Sequence, residues 1–176
     1  MAAPLEIAQL GNPILRKVAQ PVLDATDATI KTLIDSLIET AALVNGVGIA
    51  APQVTRSYRL FIVASRPNPR YPNAPLIEPM AILNPKIVAH SEEMVKGWEG
   101  CLSVPGIRGL VPRYKAIEVE YSDRYGNLQR RELTDFVARI FQHELDHLNG
   151  IVFLDRVEST QDLVTEQEYQ RIISDQ

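Results

Sequence analysis

Gln142-His143-Glu144-Leu145-Asp146-His147-Leu148-Asn149-Gly150 is the stretch on which the reading of the fold turns. Two of the chain's three histidines lie here, four residues apart, with a glutamate between them. On a helix, positions i and i+4 stand one above the other on the same face. Both imidazoles can then reach one metal ion without bending the backbone. Glu144 lies one step on from His143, about 100° around the helix, and can stand beside such an ion as a base for its water. The flanks predict the helix. Thr134 and Asp135 offer an N-cap, Phe136, Val137, Ile140 and Phe141 follow at helical spacing, and Asn149-Gly150 supplies a stop. Phe136, Ile140, His143 and His147 share an inward stripe. Two core histidines bonded to carbonyls are the structural alternative. It is the weaker one, because stacked buried imidazoles compete for partners they cannot do without.

The chain of 176 residues is predicted to form one domain, residues 1–176, with a composition ordinary for a globular protein. A net charge of -4 offers no basic field for nucleic acid or an anionic membrane. One cysteine rules out an intramolecular disulfide and suits a reducing cytoplasm. No apolar run reaches transmembrane length, and Met1 to Leu10 lacks the pattern of a secretory leader.

Outward from the histidine stretch, 1–23 reads as an irregular arm punctuated by Gly11-Asn12-Pro13 and Pro21. Residues 27–44 read as an amphipathic helix capped by Asp27, with Ile30, Leu33, Ile34, Leu37, Ile38 and Ala41 on its apolar face. Asn45-Gly46-Val47-Gly48-Ile49-Ala50-Ala51-Pro52-Gln53-Val54 stops it. This is a cap and tight turn, or a place where missing side chains let another backbone approach. Tyr58–Ser65 is strand-like, and 66–80 is a long Pro- and Asn-rich surface loop or flap. Ile82–His90 reads as short strand pieces broken at Pro85, with His90 an ordinary surface group. Residues 96–106 are glycine-rich around Cys101. Ile117, Val119 and Tyr121 alternate with polar residues, and a turn at 123–127 leads into Leu128–Leu133, a hairpin feeding the histidine helix. Ile151–Leu154 packs under the end of that helix, and 160–174 ends the chain as an acidic helix with Thr165 and Glu168 as a capping box.

Two histidines need a further protein ligand if a position is to stay open for water. Glu166 lies near the spacing of a downstream glutamate ligand, which would make the protein an endopeptidase, but on a weakly helical tail. Cys101 is the stronger candidate, a thiolate suited to Zn²⁺ or Fe²⁺ and held by glycine-rich backbone. A closed structural metal site in a binding module is the non-catalytic alternative, and there Glu144 would be a spectator.

Gly46–Gln53, Glu99-Gly100-Cys101-Leu102-Ser103 and Gln142–His147 together resemble the three signature motifs of peptide deformylases, in that family's order. The resemblance implies an α+β fold, antiparallel sheets around a central metal helix with an N-terminal helix and a short C-terminal one. It implies Fe²⁺, replaceable by Zn²⁺, Ni²⁺ or Co²⁺, on Cys101, His143 and His147, with Glu144 as general acid and base. Gln53 and the backbone N–H of Leu102 would bind the oxyanion. Val47, Gly48 and Gly100 would pair with the substrate backbone as with an added strand. Val47, Glu99, Arg108 and the Phe136/Ile140 face would receive a methionine side chain. The activity implied is removal of the formyl group from formyl-methionine of nascent peptides, in the cytoplasm and near the ribosomal exit tunnel. The acidic tail does not supply basic charge for docking there. Asp146 with Arg113 or Arg139 would orient the ligands from behind.

Overall fold

The computed structural model describes residues 5–175, so the arm expected over 1–23 is seen from Leu5 onward and its first four residues lie outside the described residues. Helix α1 (Ala28–Leu43) starts where Asp27 accepts hydrogen bonds from the Thr29 and Ile30 N–H groups. It ends where Asn45 turns into the left-handed region at φ 54° and Gly46 N–H reaches back to Ala41 O. The Gly46–Gln53 stretch then forms a short strand β1 (Gly48–Ala50) and a 3₁₀ turn (Ala51–Val54). Strands β2 (Leu60–Val63), β3 (Met80–His90), β6 (Ala116–Ser122) and β7 (Leu128–Thr134) join β1 in an antiparallel sheet of order β1-β2-β3-β6-β7. A second antiparallel sheet, β4-β5-β8, comprises Met94–Cys101, Val104–Tyr114 and Leu163–Thr165.

The alternation of strand side chains explains the layers. Leu60 and Ile62 of β2 pack toward α1, against Ile34, Leu37 and Ala41, while Phe61 and Val63 face the other way. There they meet Ala138, Phe141 and Leu148 of helix α2 (Asp135–Leu148), with Phe61 edge-on to Phe141 at 5.1 Å. The other side of α2 turns toward the second sheet, so α2 lies between the two. The α+β architecture that the motif resemblance implies, antiparallel sheets around a central histidine helix, is the one observed. No helix of the described residues is long and apolar enough to cross a membrane.

Four local expectations change. The Ile82–His90 pieces are one strand: the register slips between Leu83 and Lys86, Asn84 takes φ 50°, and its side chain bonds both Val22 N–H and Val22 O at 2.8 Å. The missing N–H of Pro85 is thereby absorbed in a bulge. The glycine-rich 96–106 segment is the β4–β5 hairpin, closed by Leu102 and Ser103. The strand within Tyr58–Ser65 is only four residues long. The final helix α3 is Glu166–Ser174, with Thr165 as its N-cap, and the residues before it pair with β5 as β8. The arm is irregular as expected, yet tied down: Ala8 N–H donates to Gln53 O at 2.7 Å and Leu10 N–H to Ser103 O at 2.8 Å. It buttresses two site residues from behind.

Gly150 ends α2 at φ 72°, and a Cβ there would stand 2.7 Å from the backbone of Arg16. Gly11 also has positive φ, at 104°, but a Cβ there meets nothing within 4 Å. Gly150→Ala is therefore expected to lose more stability in urea denaturation than Gly11→Ala, whose loss is backbone strain alone, about 1–3 kcal/mol. Equal losses would show that the Arg16 contact is immaterial.

Candidate metal centre and catalytic cleft

The tight Leu102-Ser103 turn and the register slip after Gly100 present Cys101 at the end of β4, facing the histidine face of α2. Cys101 Sγ stands 3.4 Å from His147 Nε2, and the ligand atoms of Cys101, His143 and His147 all lie within 4.8 Å of one another. A tetrahedral ion at about 2.3 Å from sulfur and about 2.0–2.1 Å from nitrogen would set sulfur and nitrogen about 3.5 Å apart. The observed spacing fits that. The donor set, one thiolate and two imidazoles, is one that transition metals accept with a position left for water. Among the described residues this group holds three protein ligands, and Glu166 is not one of them.

Burial by itself would push the Cys101 thiol up, but the two imidazoles against it bring it well below the ordinary thiol value. The Ser103 N–H at 3.4 Å and Gln53 Nε2 at 3.5 Å also point at the sulfur. Gln53 is held in one orientation, its Oε1 accepting from Ala50 N–H at 2.9 Å, so its amide nitrogen faces the site. Glu144 is 4 % exposed, and its Oε2 has no hydrogen-bond partner among the described residues. Burial is the chief cause that pushes its carboxyl up to about 7, against the opposing pull of His143 and His147. Its Oε1 would be 2.5 Å from a Cβ on Gly48. The second glycine of Gly46-Val47-Gly48 thus leaves room for this carboxylate as well as for any ligand.

A buried charge network stands behind the ligands. His143 Nδ1 lies 2.8 Å from Glu99 Oε2, leaving Nε2 for the centre. The Glu99 carboxylate also accepts from Arg113 Nε and Nη2, at 2.9 and 3.0 Å, and from Arg139 Nη1 at 3.0 Å. Arg113 Nη1 continues to Asp146 at 2.6 Å, which Arg156 holds from its other side. Burial would raise the Glu99 carboxyl, but Arg113 and His143 outweigh it and keep it ionised well below the usual range. Both arginines of the sequence reading belong to this network, and it is buried.

The cleft in front of the centre is lined by Val47, Gly48, Gln53, Glu99, Gly100, Leu102, Phe136, Ile140 and Glu144. Of the expected pocket residues, Glu99 lines the cleft and Arg108 does not. The Glu99 carboxylate is consumed by His143 and the two arginines. Arg108 is fully buried beneath Gly100, paired with Glu166 at 2.7 and 3.3 Å, and does not line the cleft. Its charge is anchored by the first turn of α3, which also explains why Glu166 is unavailable as a ligand. Tyr71, Arg70 and Trp98 line the cleft as well. The sequence alone does not single them out: Arg70 and Tyr71 sit in a proline-rich loop with no periodic signal, and Trp98 among the glycines of β4.

Glu99→Gln keeps the shape of the side chain and removes the charge that Arg113, Arg139 and His143 share. It is expected to weaken metal retention about 10- to 100-fold in chelator competition. Retention equal to the parent protein would show that the network does not orient His143.

The comparisons with known proteins agree with this geometry. The family model described as polypeptide deformylase matches residues 4–162. Peptide deformylase 2 of Nostoc sp. is 69% identical over 170 residues, covering 97% of this chain and 95% of that protein. Peptide deformylase 2 of Shewanella oneidensis is 48% identical, covering 94% and 91%. Among solved structures, the Met-Ala-Ser-bound class I type b peptide deformylase of Acinetobacter baumannii superposes with a TM-score of 0.86 at 46% identity, over 89% of this chain and 100% of that one. Peptide deformylase of Thermotoga maritima does so with a TM-score of 0.80 at 38% identity, over 90% and 100%. With the signature residues gathered in one cleft and matches of this extent, the chain belongs to the polypeptide deformylase family of metal-dependent enzymes.

Proposed function

We propose that this enzyme removes the formyl group from formyl-methionine at the start of nascent peptides, using Cys101, His143 and His147 to hold Fe²⁺ and Glu144 as general base and acid. The observation that carries the reading is the meeting of one depressed thiol, two imidazoles and a buried, unpartnered carboxylate at the end of an apolar cleft. The metal would supply a water acidic enough to act as a nucleophile near neutral pH. The protein's own groups do the rest. Glu144 takes a proton from that water and passes it to the departing amine, which would otherwise leave as an unstable anion. Gln53 Nε2 and the Leu102 N–H donate to the oxygen that gains charge as the formyl carbon is attacked.

The flanks of the cleft support an extended substrate. β1 is the outer strand of the five-stranded sheet and β4 an outer strand of the three-stranded one, so both present backbone groups toward the gap. A peptide could add between them through Val47, Gly48 and Gly100, its first side chain resting on Val47, Phe136 and Ile140. Zn²⁺, Ni²⁺ or Co²⁺ suits the same donors, and Fe²⁺ is proposed from the family resemblance. Residues 1–176 are read as a single catalytic domain, supported by the contacts of α2 with strands of both sheets. The nascent substrate and the lone reduced cysteine favour the cytoplasm. Proximity to the ribosomal exit tunnel is proposed from the substrate's origin, not from charge on α3.

The decisive assay is formate release from formyl-Met-Ala-Ser by anaerobically loaded protein. Glu144→Ala is expected to keep its metal and lose about 10²–10⁴ in rate. Cys101→Ala should lose the metal, whereas Glu166→Ala should retain it. Metal loss in Glu166→Ala alone would favour the endopeptidase reading.

The working form of Glu144 is the carboxylate, so activity is present above its pKa and lost as pH falls through it. Burial holds that pKa at about 7, and a dication beside it would favour ionisation. The acid limb of kcat/KM is expected at or below about pH 7, and a limb well above it would exclude Glu144 as the base. Gly48→Ala, which crowds Glu144 Oε1, should lower the rate about 100-fold with the metal still bound.

A further inference from the structure

The 64–79 loop is longer than a connection between neighbouring strands requires, but it is built rather than slack. Asn68 is buried. Its backbone exchanges hydrogen bonds with Tyr71 at 3.2 and 3.0 Å, and its side chain caps the Arg70 and Tyr71 N–H groups at 2.9 and 3.1 Å. Ser65 Oγ and Ser65 O close the far end on Pro75 O and Ile77 N–H. This construction delivers one side chain, Tyr71, into the cleft. Its ring rests on Phe136 at 5.4 Å between centroids, and the Arg108 guanidinium lies over it at 4.9 Å. Its hydroxyl accepts a hydrogen bond of 3.3 Å from the Gly100 N–H.

That N–H belongs to the outer edge of β4, on the side away from β5. It is the group an added strand would use. The register follows from the two-residue period of extended chains. If the formyl oxygen sits at the Leu102 N–H, the next N–H on the same edge is that of Gly100, two residues back along β4. On an extended peptide the next carbonyl on the same side is that of the second residue. The Gly100 N–H is thus matched to the second residue's carbonyl, and the Tyr71 hydroxyl stands in its place.

We propose that Tyr71 is a specificity-determining residue of this enzyme: its hydroxyl holds the Gly100 N–H and is exchanged for the carbonyl of the peptide's second residue. This rests on the strand-addition reading above. The contact is long and the exchange replaces one neutral hydrogen bond by another, so the residue tunes binding and leaves the chemistry alone. A substrate ending before that carbonyl gains nothing from the Gly100 N–H. Arg108 keeps the ring in place from below: it is stacked on Tyr71 and, at 4.5 Å, on Tyr169 of α3, and bonded to Glu166.

The test is Tyr71→Phe, which keeps the ring and removes the hydroxyl, in metal-loaded full-length protein. kcat/KM for formyl-Met-Ala-Ser is expected to rise about two- to tenfold, the range of one net hydrogen bond, while that for formyl-methionine amide does not move. The Gly100 amide should exchange its proton faster than in wild type when no peptide is bound. A longer-peptide kcat/KM that falls or stays level, a gain shared by both substrates, or an unchanged Gly100 amide overturns the proposal. Wild type that releases no formate from either substrate sinks the hydrolysis reading instead. Calorimetric binding of Met-Ala-Ser, expected to be tighter in Tyr71→Phe by the same factor, then decides the exchange by itself.

Discussion

The Glu99 carboxylate is the constraint on which the rest depends. It sits on β4 two residues before Cys101 and bonds His143 of α2, so one side chain ties the strand that carries sulfur to the helix that carries the imidazoles. Its remaining capacity is filled by Arg113 from β5 and Arg139 from α2. Ions this deeply buried cost several kcal/mol each to desolvate, and such networks often add little net stability over an apolar core. Their effect is on geometry. Breaking any one partner strands a buried charge, so the arrangement that satisfies all of them is sharply preferred. Burial also pushes the Glu144 carboxyl up to about 7, while His143 and His147 beside it hold the Cys101 thiol well below its ordinary value.

Two guanidinium groups account for the glycines of β4. A Cβ on Gly97 would meet the Arg139 guanidinium at 2.8 Å, and one on Gly100 would meet the Arg108 side chain at 2.9 Å. Each glycine clears a channel through which a long cation crosses the strand to its carboxylate, Glu99 in one case and Glu166 in the other. The sequence reading assigned Gly100 to a passing peptide backbone. The Arg108 contact calls for a glycine there whether or not a peptide pairs with it.

What was legible follows period and local chemistry. α1, α2 and the β6–β7 hairpin were readable because Ile30 to Ala41, Phe136 to His147 and Ile117 to Tyr121 repeat at the spacing of their own structure. The gathering of Cys101 with His143 and His147 was anticipated from donor chemistry and the family motifs. The β4–β5 hairpin was not, since Gly97, Gly100, Pro105, Gly106, Gly109 and Pro112 hide its alternation. The setting of Arg108 is hidden in the sequence for a different reason. Its partner Glu166 is fifty-eight residues away in sequence, and nothing local announces the pairing. Long-range ion pairs and a loop aromatic such as Tyr71 become visible only when the chain is folded.

Arg108 also shows how the last element reaches the first chemistry. It is fully buried, yet its Nη1 has no hydrogen-bond partner among the described residues. Leaving a guanidinium N–H unsatisfied is costly, and the cost is offset here by two aromatic faces and a bidentate carboxylate. Those partners come from the loop before β3 and from α3, elements with no direct part in holding an ion. Because one cation must be satisfied by both, the position of α3 and the position of Tyr71 are not independent. The tail of the chain thereby enters the shape of the cleft by packing and charge, with no ligand of its own to contribute.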